Sequence, residues 1–279
     1  KIGYVPYEKE NESVAKGLEY AYNDWCIARL AEEIGDTATY EKYKALSKSY
    51  INYYDPQTGF MRGKDLKGNW HVPFNPRYSD HRNDDYCEGT AWQWAWFVPH
   101  DIEGLIALMG GQEKFIGRLD SLFVAESKIE GLIGQYAHGN EPSHHIVHLY
   151  NYVNQSWKAQ QLIDTILHTQ YFNNPNGLSG NEDCGQMSAW YVLNAMGFYQ
   201  VCPGSPIYSV GRPIFDKVTI NLPNGKVFEI IANNNSRTNK YIQSIRLDNI
   251  LLESPFFMHS DIMKGGKIIM EMGNTPVKQ

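Results

Sequence analysis

Long hydrophobic runs are missing from this sequence. No stretch approaches the roughly 18 apolar residues that mark a membrane-spanning helix, and no signal-peptide pattern is visible. We therefore expect no membrane span. The chain begins with Lys1 rather than Met, so we expect further segments upstream, which would have room for an export signal.

Basic runs and cysteine clusters are missing as well. The chain has 25 Lys and Arg against 31 Asp and Glu, a net charge of −6, which argues against nucleic acid as a partner. The cysteines Cys26, Cys87, Cys184 and Cys202 form no CxxC pair, so a zinc site is not expected. Buried free thiols are the simplest interpretation, and one disulfide is the alternative.

Apolar and aromatic residues, by contrast, are abundant. Hydrophobic residues make up 42% of the 279, enough for a folded core in one large domain or a domain with a small appendage. Aromatic residues make up 13%, with 19 Tyr and 7 Trp. Such side chains stack on the apolar faces of sugars, but an aromatic-rich core explains them equally well.

Periodicity predicts helices first and strands last. Apolar residues recur at helical spacing over 12–34 and 38–54, which predicts a helical hairpin, and a later helix is predicted over Gln186–Met196. After Cys202 the period changes to two, and Asn224-Gly225 predicts a hairpin turn between two strands.

The fold class predicted from this order is mainly α, a partial α/α toroid of helical hairpins followed by a smaller C-terminal β segment. We assign residues 1–203 to the toroid and residues 204–279 to the β segment. Because few strands remain after residue 203, we expect them to complete a β domain whose other strands lie upstream.

Three loop motifs place a carboxylate beside Gly, Asn or aromatic residues at a helix start. They contain Glu88, Glu141 and Asp183. Glycoside hydrolysis needs two facing carboxyl groups, one that protonates the leaving oxygen and one that activates water or attacks directly. We assign Glu88 as the acid, desolvated by Trp92 and its neighbours, and Asp183 as the base. The alternative is that each carboxylate only caps its helix.

Neighbouring polar residues complete the candidate site. Asn181 and Glu182 lie beside Asp183 and would orient a water, although Glu182 also suits a purely structural role. Asn140 and Glu141 offer two side-chain oxygens on one turn, and such hard ligands suit Ca²⁺ better than zinc.

Three other groups of residues have simpler interpretations. His144, His145 and His148 include an i, i+4 pair but lack the metalloprotease glutamate, so we expect hydrogen-bonding histidines. Trp92 belongs either to the core or to a sugar platform. The pair Asp84-Asp85 is expected to lie in a solvated loop.

Several long motifs resemble glycoside hydrolase family 92. The likeness runs over about residues 12–250 and rests on the segments 18–26, 88–101, 138–145, 180–190, 203–204 and 208–212. It implies an exo-acting α-mannosidase with an inverting, calcium-dependent mechanism. It also implies an N-terminal β-sandwich followed by an (α/α)6 barrel, with the active site between them, so that this chain would hold a partial (α/α)6 toroid.

The resemblance carries roles over to matching positions. Glu88 resembles the general acid and Asp183 the general base, with Glu141 as the alternative acid. Asn140 resembles, together with Glu141, the residues around the calcium. Asn181 stands where some members are expected to have Asp. In an inverting enzyme, the carboxyl groups of acid and base should lie about 6.5–9.5 Å apart or somewhat more.

Substrate and partners follow from the same resemblance. We assign Asn181, Glu182, His138 and Trp92 as substrate-binding residues and a mannose-containing glycan, such as an N-glycan, as the substrate. The missing N-terminal domain of the same protein would be the partner, and we expect the fragment alone to lack activity without it. The expected location is extracytoplasmic, either periplasmic, secreted or at the cell surface.

Two alternative functions remain open at this stage. One is a non-catalytic glycan-binding fragment, which would bind mannose but release none. The other is another toroid glycosidase of the trehalase or glucoamylase type, which should not need calcium.

Overall fold

A computed structural model describes residues 2–278 of the chain. They form two compact units, one that ends at Ser143 and one that begins at His144. Within the described residues, none of the helices combines the length and apolar character that crossing a membrane requires.

The first unit opens with a helical hairpin. Helix α1 spans Ser13–Glu33 and α2 spans Thr37–Leu46, and the two pack against each other. Asp36 starts α2 because its carboxylate accepts a hydrogen bond from the Thr39 amide at 3.0 Å. The predicted hairpin is confirmed, although its second helix ends early and continues as a 3₁₀ turn over Ser49–Tyr53.

Short elements fill the rest of the first unit. They are strands β1 (Tyr54–Asp55) and β2 (Phe60–Met61), helices α3 (Ala91–Trp94), α4 (Ile102–Leu108) and α5 (Gln112–Val124), and a 3₁₀ turn at Glu141–Ser143. Strands β1 and β2 pair in antiparallel fashion. Trp92 and Trp94 therefore lie on a helix of a single turn.

The loop before α3 is anchored to α1 through Asp85. Its carboxylate accepts a hydrogen bond from the Ser13 hydroxyl at 3.1 Å and lies 2.8 Å from His71 Nδ1. Its backbone carbonyl accepts hydrogen bonds from the amides of Val14 and Ala15. Asp85 is buried, so the prediction of a solvated loop is wrong at this residue. Asp85 instead satisfies polar groups at the start of α1, the Ser13 hydroxyl through its carboxylate and two helix amides through its backbone carbonyl.

The second unit contains helices and two sheets. Its helices are a 3₁₀ segment (Ile146–Val153), α6 (Ser156–Thr169), α7 (Gln186–Met196) and α8 (His259–Lys264). Its strands are β3 (Phe198–Tyr199), β4 (Ile207–Val210), β5 (Lys217–Asn221), β6 (Val227–Asn233), β7 (Tyr241–Leu247), β8 (Ile250–Leu251), β9 (Phe256–Met258) and β10 (Gly266–Gly273).

Five strands form one sheet in the order β5-β6-β10-β7-β8, and β3-β4-β9 form another. Strand β10 pairs parallel with β6 and antiparallel with β7. Alternate residues of β6 and β10, such as Phe228, Ile230, Ile268 and Met270, are buried in one hydrophobic core. The strands thus build a sheet with a core of its own, and the expected pairing with upstream strands stays a prediction.

The mainly helical character with a smaller, later β part is confirmed. The toroid and the domain boundary after residue 203 stay predictions. All four cysteines are free thiols, and Cys202 is buried while Cys184 is exposed.

A buried polar network around His148 joins the helices of the second unit to strand β4. The His148 ring lies 2.9 Å from Asn194 Oδ1 and 3.2 Å from Ser209 Oγ, and Asn151 Nδ2 donates to the same hydroxyl at 2.6 Å. The predicted hydrogen-bonding role of this histidine is confirmed. Burial lowers the pKa of His148 to about 4, because desolvation disfavours the imidazolium.

This depressed pKa predicts acid sensitivity of the fold. The unfolded histidine takes up a proton near its usual pKa, whereas the folded one does not until about pH 4. The contribution of His148 to the free energy of unfolding should therefore be fully present above pH ~6.5. It should fall by up to about 3 kcal/mol as the pH approaches 4. Urea unfolding across this range should show a smaller pH slope for His148→Gln than for the unmodified protein.

The substitution His81→Gln, at an exposed loop residue, is the control for removing a histidine. An unchanged pH slope in His148→Gln would contradict the assignment.

Candidate functional site

Glu88 lies in the loop that leads into α3, and its backbone is left-handed. Its φ is 48°, a region where a residue with a Cβ carries a cost of about 1–2 kcal/mol. Two residues later, Thr90 caps α3 and forms a capping box with Gln93. The Glu88 side chain is exposed. Such backbone strain persists only where the surroundings enforce it, and it is common at functional sites.

Two side chains hold the peptide groups on either side of Glu88. The indole Nε1 of Trp94 donates to the Cys87 carbonyl at 2.8 Å, and Asn140 Nδ2 donates to the Glu88 carbonyl at 2.9 Å. Each residue has only two soft backbone dihedrals, so fixing both flanking peptides fixes the direction of the Cα–Cβ bond from which the Glu88 side chain extends. Each bond contributes about 0.5–1.5 kcal/mol, which offsets the left-handed cost.

A cavity of about 630 Å³ lies beside Glu88 in the first unit. Its walls include Glu88, Gln93, Leu132, Gln135, Arg77 and Lys128. This volume is within the usual range for small-molecule sites, about 300–1,000 Å³. The walls offer apolar surface together with charges of both signs, a combination that suits a polyhydroxylated ligand.

Cys87 directly precedes Glu88, and its side chain is a protonated thiol at neutral pH. Burial, with Glu12 nearby, raises the pKa of its thiol to about 11, so it stays protonated at neutral pH. The Cys87 thiol therefore does not supply a thiolate nucleophile to this loop.

Trp92 packs into the core of the first unit. Its ring meets Phe60 edge-on with centroids 5.1 Å apart, and the Arg118 guanidinium lies 5.2 Å from its centre. The expected desolvation of Glu88 by Trp92 is wrong for the described chain, because the Glu88 side chain is exposed. Trp94, rather than Trp92, supports the Glu88 loop.

Asn140 and Glu141 lie at the start of a 3₁₀ turn, and both are half-buried. Asn140 uses its Nδ2 in the bond to the Glu88 carbonyl, so its Oδ1 takes no part in that bond. No group of three or more His, Cys, Asp or Glu side chains among residues 2–278 is arranged to hold a metal. These two side chains fit Ca²⁺ by chemistry, as two of the six to eight oxygens that it requires.

His138 lies nearby in the sequence but is buried, with 1% of its surface exposed. Its Nδ1 lies 2.9 Å from the Tyr136 hydroxyl, and the two rings stack. In the described chain this histidine is a hydrogen-bonding residue, and its assignment as a substrate contact stays a prediction.

Asp183 lies in the second unit, at the start of α7. Asp183, Cys184 and Gly185 have successive φ values of 49°, 57° and 90°, a run of three left-handed residues. The Asp183 carbonyl accepts a hydrogen bond from the Gln186 amide at 3.2 Å. Its side chain is exposed. Asp183 thus shares with Glu88 an exposed carboxylate on a left-handed backbone immediately before a helix.

Glu182 anchors the same helix. Its carboxylate accepts hydrogen bonds from the Ser188 amide at 3.1 Å and the Ser188 hydroxyl at 2.9 Å. Its neighbour Asn181 is exposed. His144 Nδ1 lies 3.0 Å from Gln186 Nε2, so this histidine also forms hydrogen bonds as predicted. Glu182 therefore fixes the loop, and Asp183 and Asn181 carry its exposed polar groups.

The bond between Asn140 and Glu88 joins two of the predicted motifs. The sequence predicted a role for each of the two residues, but it predicted neither their contact nor the support from Trp94. An Asn 52 positions from Glu88 gives no sequence signal of this pairing.

Comparison with known proteins assigns the family. The catalytic domain of glycosyl hydrolase family 92 matches residues 1–274, and the chain belongs to this family. Among curated proteins it is similar to an uncharacterized secreted glycosidase of Arthroderma benhamiae, with 28% identity over 305 residues. That match covers 98% of this chain and 38% of the relative.

Two solved structures from Bacteroides thetaiotaomicron are similar as well. A family GH92 α-mannosidase in complex with mannoimidazole is 41% identical with a TM-score of 0.96, covering 99% of this chain and 38% of that one. A family GH92 inverting mannosidase is 42% identical with a TM-score of 0.90, covering 98% of this chain and 39% of that one. The chain thus spans less than half the length of these relatives.

The left-handed backbone at Glu88 and Asp183 predicts an unusual order of stabilities. At each position the glycine variant should be about 1 kcal/mol more stable than the alanine variant. Both changes remove the carboxylate, but only alanine keeps the steric cost. Urea unfolding of Glu88→Gly and Glu88→Ala, and of the same pair at Asp183, measures this difference.

Glu253 is a suitable control, because it is exposed and lies outside the left-handed region. There, alanine should match or exceed glycine in stability. The steric cost of the left-handed backbone would be refuted if, at both Glu88 and Asp183, the alanine variant were at least as stable as the glycine variant.

Proposed function

We propose that this chain carries the catalytic carboxylates of an exo-α-mannosidase that releases terminal α-linked mannose with inversion. The observation that carries the proposal is that two exposed carboxylates have the same unusual backbone conformation. Glu88 and Asp183, in the motifs that resemble the family's acid and base, both hold exposed carboxylates on left-handed loop residues. The similar solved proteins are an α-mannosidase and an inverting mannosidase, which supports the substrate and the stereochemistry.

The general acid is Glu88 in this proposal. Its proton passes to the glycosidic oxygen as the bond to the anomeric carbon breaks, so that the leaving alcohol departs neutral. The cavity beside Glu88 would hold sugar, and its polar wall residues would bond hydroxyl groups. Glu141 is the alternative acid.

The general base is Asp183. Its carboxylate removes a proton from a water that attacks the anomeric carbon from the face opposite the leaving group. Glu182 and Asn181 support this role, since the bonds of Glu182 to Ser188 fix the loop and Asn181 offers an amide that can orient the water. The separation of about 6.5–9.5 Å between the Glu88 and Asp183 carboxyls leaves room for that water and remains part of the proposal.

Calcium is the proposed cofactor. Asn140 Oδ1 and the Glu141 carboxylate would hold it, with backbone carbonyls, waters or sugar hydroxyls as the further ligands. When bound, the cation supplies positive charge that orients and polarises sugar hydroxyls. The bond from Asn140 to the Glu88 carbonyl would link the ligand turn to the loop of the acid.

The wider context of the chain is also proposed. A partial (α/α)6 toroid is the architecture that the family resemblance implies, with an N-terminal β-sandwich in the upstream part. The existence of an upstream part is supported by the similar α-mannosidase, because this chain covers only 38% of that protein. An extracytoplasmic location is supported by the curated relative that is named a secreted glycosidase. Glycans such as N-glycans are the proposed substrates.

Substitution of the two carboxylates tests the roles in the full-length protein. Glu88→Gln should lower the turnover of an unactivated mannobioside by about 10²- to 10⁴-fold and should spare 2,4-dinitrophenyl α-mannoside, whose leaving group needs no proton. Asp183→Asn should lower the turnover of both substrates, because every substrate needs the activated water. Mannose release measured by chromatography gives both rates.

Glu253→Gln, at an exposed residue outside both motifs, is the control and should turn over normally. Normal turnover in Asp183→Asn would remove Asp183 as the base. No mannose release from either substrate by the unmodified full-length protein would favour a glycan-binding role.

Removal of divalent cations tests the cofactor. Dialysis against a chelator should abolish mannose release, and added Ca²⁺ should restore it, while Asn140→Ala should raise the Ca²⁺ concentration needed for half-maximal recovery. Full activity after exhaustive chelation would exclude calcium and would agree with a trehalase- or glucoamylase-like mechanism.

A further inference from the structure

We infer that Trp94 is a positioning residue for the Glu88 carboxyl, an inference that rests on the proposed function of Glu88. Trp94 is the last residue of α3 and only 2% exposed. Its ring packs at 5.3 Å from the Phe97 ring, which holds the indole in place. The indole N–H, donated to the Cys87 carbonyl at 2.8 Å, is therefore a fixed anchor for the loop.

The loop is shaped to lie against this indole. A Cβ placed on Gly89 would lie 3.3 Å from Trp94 Nε1, closer than most such contacts, and 3.4 Å from Gln93 Oε1. Gln93 Oε1 also accepts a hydrogen bond from the Thr90 amide at 2.6 Å. The backbone from Cys87 to Thr90 thus follows two adjacent side chains of α3, and a glycine allows the close approach.

Positioning follows from where these bonds act. The Cys87 carbonyl belongs to the peptide that sets φ of Glu88, which is 48°. Without the indole donor, that peptide can rotate toward an ordinary backbone conformation and carry the carboxylate away from the cavity. A displacement of about 1 Å at a reacting group can lower a rate about 100-fold. Trp94 need not touch substrate to have this effect.

The test uses Trp94→Phe in the full-length protein, which removes the indole N–H and keeps an aromatic ring. We expect kcat on an unactivated mannobioside to fall about 10- to 100-fold with KM nearly unchanged. The kcat on 2,4-dinitrophenyl α-mannoside should change by less than about 3-fold, because that leaving group needs no acid. A loss of fold or of substrate binding would lower both rates together.

Two further variants sharpen the result. Trp157→Phe is the matched control, because it removes an indole N–H that donates to Gln155 Oε1 at 3.2 Å and supports neither carboxylate. It should leave both rates unchanged. Gly89→Ala places a Cβ 3.3 Å from Trp94 Nε1 without removing a core side chain, so that the loop or the indole must shift by a few tenths of an ångström. It should reproduce the selective loss even if Trp94→Phe folds poorly.

The outcomes separate this inference from the proposed function. The positioning role would be overturned if Trp94→Phe and Gly89→Ala each lost equal activity on both substrates, or lost none on either. The acid assignment would still stand in that case if Glu88→Gln lost activity only on the mannobioside. A Glu88→Gln variant without selective loss would overturn both the acid assignment and the positioning role.

Discussion

The backbone of Glu88 turns through a left-handed conformation that an acidic residue adopts only at a steric cost. Hydrogen bonds from Trp94 and Asn140 hold the peptides on its two sides, so the conformation is enforced by the fold. Asp183 adopts the same kind of backbone, within a run of three left-handed residues before α7. Glycine would carry no such steric cost at these two positions, so each acidic residue there lowers the stability of its loop.

Each carboxylate is presented by a short loop that is anchored to a helix. The Glu88 loop is fastened to α1 through Asp85 and to α3 through Trp94 and Gln93. The Asp183 loop is fastened to α7 through the bonds of Glu182 to Ser188. Rigid elements thus position the two loops that carry these exposed carboxylates.

Local features of the fold could be predicted from the sequence. The apolar spacing of α1 and α7 and the Asn224-Gly225 turn between β5 and β6 depend on neighbours in sequence, and the structure confirms all three. The insertion of β10 between β6 and β7 could not be predicted, because alternation reveals a strand but not its partner.

In the candidate site, too, the features set by neighbours in sequence could be predicted and those set by remote contacts could not. The motifs identified Glu88 and Asp183 because their residue types and order are distinctive. Their positive φ values could not be predicted, because tertiary contacts impose them on residues that normally avoid that region. Asp85 was misjudged for a related reason. Its partners Ser13 and His71 are remote in sequence, so a run of polar residues resembled a solvated loop.

The most direct measurement is a high-resolution crystal structure of the full-length protein with a mannose-like inhibitor bound. The account predicts positive φ at Glu88 and Asp183, the Trp94 indole bonded to the Cys87 carbonyl, and both carboxylates directed at the anomeric carbon from opposite sides. An ordinary helical or extended φ at either residue, or a carboxylate turned away from the sugar, would contradict it.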